Sequence, residues 1–345
     1  MHFPFCRGKC SYCALYSRAA VALSERKDYS EKMAQSLSHL AASGAKGKIS
    51  TVYFGGGSPA LCDLKTILRS LAPCLAPNAE VSVELHPLDV KKHLLDMLRA
   101  EGVNRISMGV QSLDEATLRD MGRRYSLNEA RDAFFEIREF FDNAGIDLIV
   151  GYPRVENSKE WNLSEIADWG ISHCSVYSLQ LEEGSALASR SGIERLLPGD
   201  DEVMDLLKSI GDFLQSISLE RYEISNWARK GCECRHNCAV WAGEDYLGLG
   251  TGAYSRVGLR RMCGAWSIEG EGAEELSVVD EEEDIKERLL FRLRTKSGID
   301  VSSRPQWREC LDAFVREGLV CSSGDIYRLT PRGMEVCDSV LAELV

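Results

Sequence analysis

The sequence has no apolar stretch long enough to cross a membrane and no basic-then-apolar leader at its start. Its strongly apolar segments, such as residues 81–85 and 146–150, are far shorter than the roughly 20 residues that a membrane-spanning helix needs. Positive charge is also in deficit, because 53 acidic residues outnumber 41 basic ones and give a net charge of -12. Such a surface repels polyanions, so nucleic acid is not an expected partner. We expect a cytoplasmic protein without a membrane span.

What the sequence does contain is ordinary globular composition and many cysteines. Its 345 residues are 44% hydrophobic and 27% charged, which suits one large domain with a smaller one. The 13 cysteines are an odd number. Without a secretory signal, metal binding and buried thiols explain them better than a disulfide framework does.

Short β-rich runs alternate with amphipathic segments over the first half of the chain. Strands are predicted at residues 2–5, 50–54, 80–85, 104–110, 146–151 and 174–179. Helices are predicted at residues 29–40, 91–98, 130–141 and 164–169. Six βα units with right-handed crossovers imply an α/β fold, a partial (β/α)6 TIM-type barrel. Ligands of such a sheet gather at the C-terminal ends of its strands.

The second half of the chain predicts a different organisation. A helix is predicted at residues 200–214 and an irregular stretch at 222–257, followed by an acidic segment at 269–284. Two helices, a hairpin and a last helix from near Pro331 then indicate a small C-terminal winged-helix-like domain. We therefore divide the chain into a core at 1–268, a linker at 269–284 and a C-terminal domain at 285–345.

Three cysteines follow the first predicted strand at a spacing of C-x3-C-x2-C. Cys6, Cys10 and Cys13 would supply thiolates to a [4Fe–4S] cluster and leave its fourth iron without a protein ligand. The spacing, with the aromatic Tyr12 between the last two cysteines, resembles that of radical S-adenosylmethionine (SAM) proteins, in which the open iron binds SAM. A zinc site completed by a distant residue is the alternative.

A glycine-rich turn follows the second predicted strand. Gly55, Gly56 and Gly57 precede Ser58 and Pro59, and glycines at a strand end let the backbone approach a ligand closely. Alone, this triplet would indicate only a tight turn. Beside a cysteine loop, it predicts the turn that binds the methionine part of SAM.

Several motifs in order resemble the oxygen-independent coproporphyrinogen oxidase-like family of radical SAM proteins, over essentially the whole chain. They are His-Phe-Pro-Phe-Cys at 2–6, the glycine turn at 55–59, Asn-Arg-Ile-Ser-Met-Gly-Val-Gln-Ser at 104–112, Asp-Leu-Ile-Val-Gly at 147–151, Tyr-Glu-Ile-Ser at 222–225, Gly-Ile-Asp at 298–300 and Leu-Thr-Pro-Arg-Gly at 329–333. Family members have further residues before the first motif, including a tyrosine that would precede Met1. We therefore expect that translation starts upstream of Met1.

The resemblance also implies the residues around SAM. Glu84 would bind the ribose, Arg123 would neutralise the carboxylate of SAM with its planar fork, and Gln111 would offer an amide. Asp147 would contact the ribose or the sulfonium side. Each of these could instead be a strand-end cap or a surface ion pair.

The sequence matches the motifs of two branches of the family to different degrees. Decarboxylating oxidases carry another cysteine two residues after the third cluster ligand, where this chain has Leu15. HemW-type haem chaperones carry an H-N-x-x-Y-W motif, which here begins at His236 and ends at Trp241 but has Val240 in place of tyrosine. We therefore predict a haem chaperone with a [4Fe–4S] cluster, SAM and haem as cofactors. Its partners would be an apo-haemoprotein client and a reductant such as flavodoxin or ferredoxin.

Other interpretations stay open from the sequence. His236 could be a hydrogen-bonded loop histidine, or it could share a metal site with Cys232, Cys234 and Cys238. The chain could instead be a coproporphyrinogen oxidase. A cluster-bearing DNA-binding regulator is an alternative of another class, suggested by basic C-terminal residues, namely Arg294, Lys296, Arg304, Arg308 and Arg316.

Overall fold

A computed structural model describes residues 1–19, 21–157, 159–264, 273–302 and 304–344. Its strands in chain order are β1 (His2–Phe3), β2 (Phe5–Cys6), β3 (Arg18–Ala19), β4 (Ile49–Gly56), β5 (Leu75–Leu85), β6 (Arg105–Gln111), β7 (Ala144–Val150), β8 (His173–Ser178), β9 (Glu220–Arg221), β10 (Asn226–Ala228), β11 (Ala253–Val257), β12 (Arg260–Gly264), β13 (Ala273–Val278), β14 (Ile299–Asp300), β15 (Val320–Ser323) and β16 (Ile326–Leu329).

The α-helices that the model describes are α1 (Leu23–Leu40), α2 (Leu64–Leu71), α3 (Lys92–Ala100), α4 (Glu115–Asp120), α5 (Leu127–Arg138), α6 (Asp200–Ser216), α7 (Arg235–Trp241), α8 (Glu281–Leu293), α9 (Gln306–Arg316), α10 (Pro331–Glu335) and α11 (Cys337–Ala342). Capping residues mark the beginning of several of these helices. Asp63 caps α2 by accepting from the backbone N–H of Thr66, and Ser126 forms a capping box with Glu129 on α5. None of the described helices is long and apolar enough to cross a membrane.

The main sheet has the strand order β1-β4-β5-β6-β7-β8-β10-β9. The first six of these strands pair in parallel, and β10 and β9 add antiparallel partners beyond β8. This confirms the predicted partial TIM-type barrel. The predicted first strand is split at Pro4 into β1 and β2 because proline has no N–H to pair.

Successive side chains of β4 point alternately into the main hydrophobic core and into the barrel interior. Val52 and Phe54 are buried in the main hydrophobic core, which the sheet shares with α1, α2, α3 and α5. Thr51 and Tyr53 therefore lie on the opposite face of the strand, because successive side chains point to opposite faces. That inner face carries the polar residues described below.

The region after the barrel is more regular than the sequence predicts. The stretch 222–257, expected to be irregular, contains β10, α7 and β11, so that prediction is wrong in those parts. Strands β11, β12 and β13 form an antiparallel sheet. Residues 269–272 of the acidic segment lie outside the described residues, and its described part contains β13 and the start of α8. Regular structure therefore stands where we expected a linker, and the domain boundaries stay a prediction.

A second hydrophobic core supports the C-terminal part of the chain. Leu293, Ile299, Leu311 and Val340 are fully or almost fully buried in it. Three strands in the order β14-β16-β15 pack with α8, α9, α10 and α11, in the helix, helix, hairpin, helix order that the sequence predicts. This is the expected winged-helix-like arrangement, with two short helices in place of one last helix.

Candidate functional site

The loop that carries the three cysteines is held against the C-terminal end of the barrel. The backbone N–H of Ser11 donates to the carbonyl of Met121 at 3.0 Å, and the carbonyl of Ser11 accepts from Leu187 at 2.7 Å. The hydroxyls of Ser11 and Tyr152 lie 2.8 Å apart, and Tyr152 donates to Asp120 at 2.6 Å. Residues from three βα connections therefore fix this loop.

The glycine turn lies directly beside the first cysteine. The N–H groups of Gly57 and Ser58 donate to the carbonyls of Phe3 and Phe5 at 2.7 and 2.6 Å. A Cβ atom placed on Gly57 would lie 3.0 Å from Sγ of Cys6 and would collide with the carbonyl oxygen of Phe5. Glycine is required here because the turn and the cysteine strand leave no room for a side chain.

The predicted SAM residue Arg123 contacts the cysteine loop. Its Nη2 donates to the hydroxyl of Tyr12 at 2.9 Å, and its buried Nε has no hydrogen-bond partner in the described part of the chain. A buried guanidinium donor without a partner costs free energy, which an anionic ligand would recover. This orphaned donor fits a site for the carboxylate of SAM.

Two buried carboxyl groups face each other inside the barrel. Burial, followed by the neighbouring charge of Asp147, raises the pKa of Glu84 to about 7, against hydrogen bonds from Tyr53 and Gly56. Asp147 accepts from the hydroxyl of Ser107 at 3.0 Å, and burial raises its pKa as well. The pair offers acceptors for ligand hydroxyl groups, and Glu84 exchanges its proton near neutral pH.

Gln111 ends β6 in an unusual backbone conformation. Its φ of 72° is in the left-handed region, which is uncommon for a residue with a side chain. A Cβ atom on Gly109 would lie 2.6 Å from Nε2 of Gln111 and 3.8 Å from Nη2 of Arg123. The amide and the guanidinium therefore both lie next to Gly109.

The three thiols are neighbours without meeting at one point. Burial raises the pKa of Cys6 and Cys13, and the other thiols of the loop raise it further, while Arg123 opposes the shift. Within the described ranges, no three histidine, cysteine, aspartate or glutamate side chains converge closely enough to hold a single metal ion. A zinc ion needs ligands that meet at one point, whereas each thiolate of a cuboidal cluster binds a different iron. The spread triad therefore fits the cluster better than zinc.

His236 is not at this edge of the sheet. Its Nδ1 lies 3.1 Å from Oγ1 of Thr51, and its ring stacks on Tyr53 with centroids 5.6 Å apart. Thr51 is near the start of β4, whereas Gly55 and Gly56 of the glycine turn are its last two residues. Burial lowers the pKa of His236 to about 4, so its imidazole is neutral at pH 7.

The helix that begins with the haem motif joins the barrel to the C-terminal unit. The buried carboxylate of Glu80 accepts from the N–H groups of Arg235 and His236 at 3.0 and 3.1 Å. At the other end of α7, Trp241 packs edge-on against Phe291 and lies under the guanidinium of Arg294. The tryptophan of the motif is thus already in contact with α8.

The alternative metal site beside His236 is not formed. Cys232, Cys234 and Cys238 do not converge with the imidazole, since the described residues hold no cluster of three such ligands. Cys234 is buried with its thiol 3.7 Å from the Glu80 carboxylate, and burial raises its pKa to about 11. These cysteines belong to the packing of α7.

The basic residues of the C-terminal unit are largely paired with acids. Four of the five face carboxylates, as the pairs Arg294–Asp338, Lys296–Glu220, Arg304–Glu282 and Arg308–Asp325. Nucleic-acid binding needs cations that remain available for phosphates. This pairing weighs against the DNA-binding alternative.

The structure thus brings together Cys6, Cys10, Cys13, Tyr12, Gly56, Gly57, Ser58, Glu84, Gln111, Arg123 and Asp147. His236 lies away from the cysteine loop, but Tyr53 connects it to Glu84 by stacking on the imidazole and bonding to the carboxyl group. Sequence reasoning missed Tyr53, Thr51, Glu80 and Arg105. Arg105 is 1% exposed, and its Nε and Nη1 have no partner among the described residues. A charged residue inside an otherwise buried strand was the signal that could have revealed it.

Comparisons with known proteins identify the family of this chain. The family described as the radical SAM superfamily matches residues 1–164, and the HemN C-terminal domain matches residues 279–336. A Mycobacterium tuberculosis protein named heme chaperone HemW is 31% identical over all of this chain and 94% of its own length. The Bacillus subtilis protein of the same name is 26% identical over all of this chain and 99% of its own length.

Among solved structures, Escherichia coli coproporphyrinogen III oxidase (HemN), described as a radical SAM enzyme, superposes with a TM-score of 0.80. It is 22% identical and covers 99% of this chain and 88% of its own. At that identity the likeness establishes the fold. The end-to-end match to the mycobacterial relative establishes the family: this chain belongs to the HemW family of the radical SAM superfamily.

Proposed function

We propose that this chain is a haem chaperone that binds a [4Fe–4S] cluster, SAM and haem and delivers haem to apo-haemoproteins. The observation that carries the proposal is the alignment of the whole chain with a relative named heme chaperone HemW. The oxidase shares the fold, and a shared fold does not decide between two activities.

Cys6, Cys10 and Cys13 would hold the cluster on the loop that Ser11 and Tyr152 fix. When bound, the cluster supplies the electron for reductive chemistry on SAM, and a flavodoxin or ferredoxin is the reductant that we propose. The remaining residues bind and orient SAM. Arg123 would pair with its carboxylate through the unpartnered Nε, and the backbone of the Gly56–Ser58 turn would face its methionine part.

The other SAM contacts follow from the barrel interior. Glu84 and Asp147 present acceptors to ribose hydroxyls, and Gln111 adds an amide beside Arg123. Tyr12 holds Arg123 in place through its hydroxyl. His236 would bind haem iron with a neutral imidazole, the form in which histidine coordinates metals.

Leu15 favours the chaperone over the oxidase. The side chain is 55% exposed next to the cysteine loop, at the position where the oxidase branch carries a further cysteine. A leucine cannot replace a thiol in hydrogen transfer or iron binding. Oxidase chemistry at this edge of the barrel would therefore lack one of its groups.

One anaerobic experiment separates the two functions. The cluster is reconstituted in the full chain, haemin binding is followed by the shift of its Soret band, and coproporphyrinogen is incubated with protein, SAM and reductant. We expect haemin binding that His236→Ala abolishes, transfer of haem to an apo-haemoprotein, and no decarboxylated product. Decarboxylated product would overturn the chaperone assignment, and so would a protein that binds no haemin.

A further inference from the structure

The His236 ring is fixed from three sides. Thr51 contacts Nδ1, Tyr53 stacks on the ring face at an interplanar angle of 26°, and Glu80 holds the backbone of the same residue at 3.1 Å. Thr51 and His236 are 185 residues apart in the chain. A histidine that only fills space between elements does not need contacts that fix its ring plane, its ring edge and its backbone together.

The contact with Thr51 also selects the ring nitrogen that remains available. Nε2 has no hydrogen-bond partner among the described residues, and it is not one of their nitrogen atoms that are sealed from solvent. A threonine hydroxyl can accept a hydrogen bond as well as donate one. When it accepts from Nδ1–H, the lone pair of the imidazole is on Nε2, the nitrogen that reaches solvent.

We propose that Thr51 is a positioning residue for haem: it accepts the Nδ1 proton of His236 and thereby presents Nε2 to the haem iron. This inference rests on the proposed function, because it requires that the chain binds haem through His236. Histidines that bind metals generally donate their other ring N–H to a fixed acceptor, which sets the tautomer and the ring orientation. In this chain the acceptor is a hydroxyl on β4, the first strand of the main sheet after the cysteine loop.

The position of Thr51 also separates haem from the cysteine loop and the turn beside it. Thr51 and Gly55 lie on the same face of β4, four residues apart, which corresponds to roughly 13 Å at the usual rise of a strand. The glycine turn and the cysteines lie beyond Gly55. Haem on Nε2 of His236 would therefore bind near the opposite end of the barrel strands from the cluster, as cargo and not as the partner of SAM.

The test compares Thr51→Val, which removes the hydroxyl and keeps the shape, with Thr51→Ser, which keeps the hydroxyl. Haemin is titrated into the full-length, cluster-reconstituted wild type, both variants and His236→Ala, and thermal unfolding is recorded for each. We expect Thr51→Val to bind haemin about 10-fold more weakly with an altered Soret position, because loss of such a supporting contact costs 10- to 100-fold in metal affinity. Thr51→Ser should bind as the wild type does.

The outcomes distinguish this inference from the proposed function. If the wild type binds haemin, His236→Ala does not and Thr51→Val binds normally, the role of Thr51 is wrong and the chaperone function stands. If His236→Ala binds as tightly as the wild type, the haem site lies elsewhere, and this inference falls although haem binding remains. A wild type that binds no haemin overturns both proposals.

A measurement on the wild type covers the case in which Thr51→Val does not fold. Nitrogen-15 NMR of labelled histidine distinguishes the two neutral tautomers, and comparison with His236→Ala assigns the signals. We expect a protonated Nδ1 on His236. A protonated Nε2 would overturn the proposal.

Discussion

Arg123 donates a hydrogen bond to the hydroxyl of Tyr12 at 2.9 Å, across 111 positions of sequence. Tyr12 lies between two of the cysteines, so this contact ties the cysteine loop to the turn after α4. Burial raises the pKa of the Cys6 thiol, and the charge of Arg123 opposes that shift. One guanidinium therefore serves both the loop that would hold the cluster and the pocket that would hold SAM.

Replacing Arg123 by Met should weaken SAM binding while the protein stays folded. The variant loses the cation expected to pair with the SAM carboxylate, and truncating one partner of a buried charge pair costs about 2–5 kcal/mol. We therefore expect the dissociation constant of SAM, measured by calorimetry on cluster-loaded protein, to rise at least ~30-fold. Arg131→Met is the matched control, since it removes an arginine from an exposed ion pair with Asp132 on α5. Unchanged SAM affinity in the Arg123 variant would contradict the assignment.

Tyr152→Phe should loosen the cysteine loop. The hydroxyl of Tyr152 contacts Ser11 at 2.8 Å and donates to Asp120 at 2.6 Å. The substitution therefore removes one hydrogen-bond partner from each of these side chains. We expect a loss of about 1–3 kcal/mol of stability and faster loss of iron to a chelator. Denaturant unfolding and the rate of iron release check this. Tyr254→Phe, at a residue 62% exposed, should change neither measurement. Equal iron release from both variants would show that Tyr152 does not fix the loop.

The parallel barrel could be predicted from the sequence because its signals are local. Buried parallel strands appear in the sequence as short apolar runs. The amphipathic segments between them have apolar residues at helical spacing. The cysteine triad and the glycine turn are likewise contiguous motifs. Each lies at a strand end, so the fold brings them together without any further information.

Contacts that cross the chain could not be predicted in the same way. Nothing near Thr51 in the sequence indicates a partner at His236, and nothing near Glu80 indicates that it accepts from the start of α7. Strands β11, β12 and β13 were missed for another reason. Their sequence is rich in arginine, and β11 and β12 are held to α8 by ion pairs, with Arg256 only 1% exposed.

Asp284→Asn should strongly destabilise the junction between β11, β12 and α8. Arg256 donates to Asp284 at 2.7 Å from a fully buried position, and Arg261 and Arg288 donate to the same carboxylate at 2.7 Å. Removing the carboxylate charge leaves the buried Arg256 with the more distant Glu287, 3.5 Å from its Nε, and breaking a buried ion pair typically costs about 3–5 kcal/mol. Urea unfolding checks this. Lys296→Ala breaks the exposed pair with Glu220 and should leave the stability almost unchanged. A similar small loss in Asp284→Asn would contradict the prediction.

Glu84→Gln should remove a pH dependence of stability between pH 4.5 and 7. Burial, and then the charge of Asp147, raises the pKa of Glu84 from 4.5 to about 7 in the folded chain. The folded state therefore keeps a proton that the unfolded state releases, so the stabilisation is complete below pH 4.5 and is lost as the pH rises through 7. This loss amounts to about 3 kcal/mol at 1.36 kcal/mol per pKa unit. Denaturant unfolding of both proteins at several pH values isolates it, because all other titrating groups are shared. If the difference in stability between them does not change with pH, Glu84 titrates at its ordinary pKa.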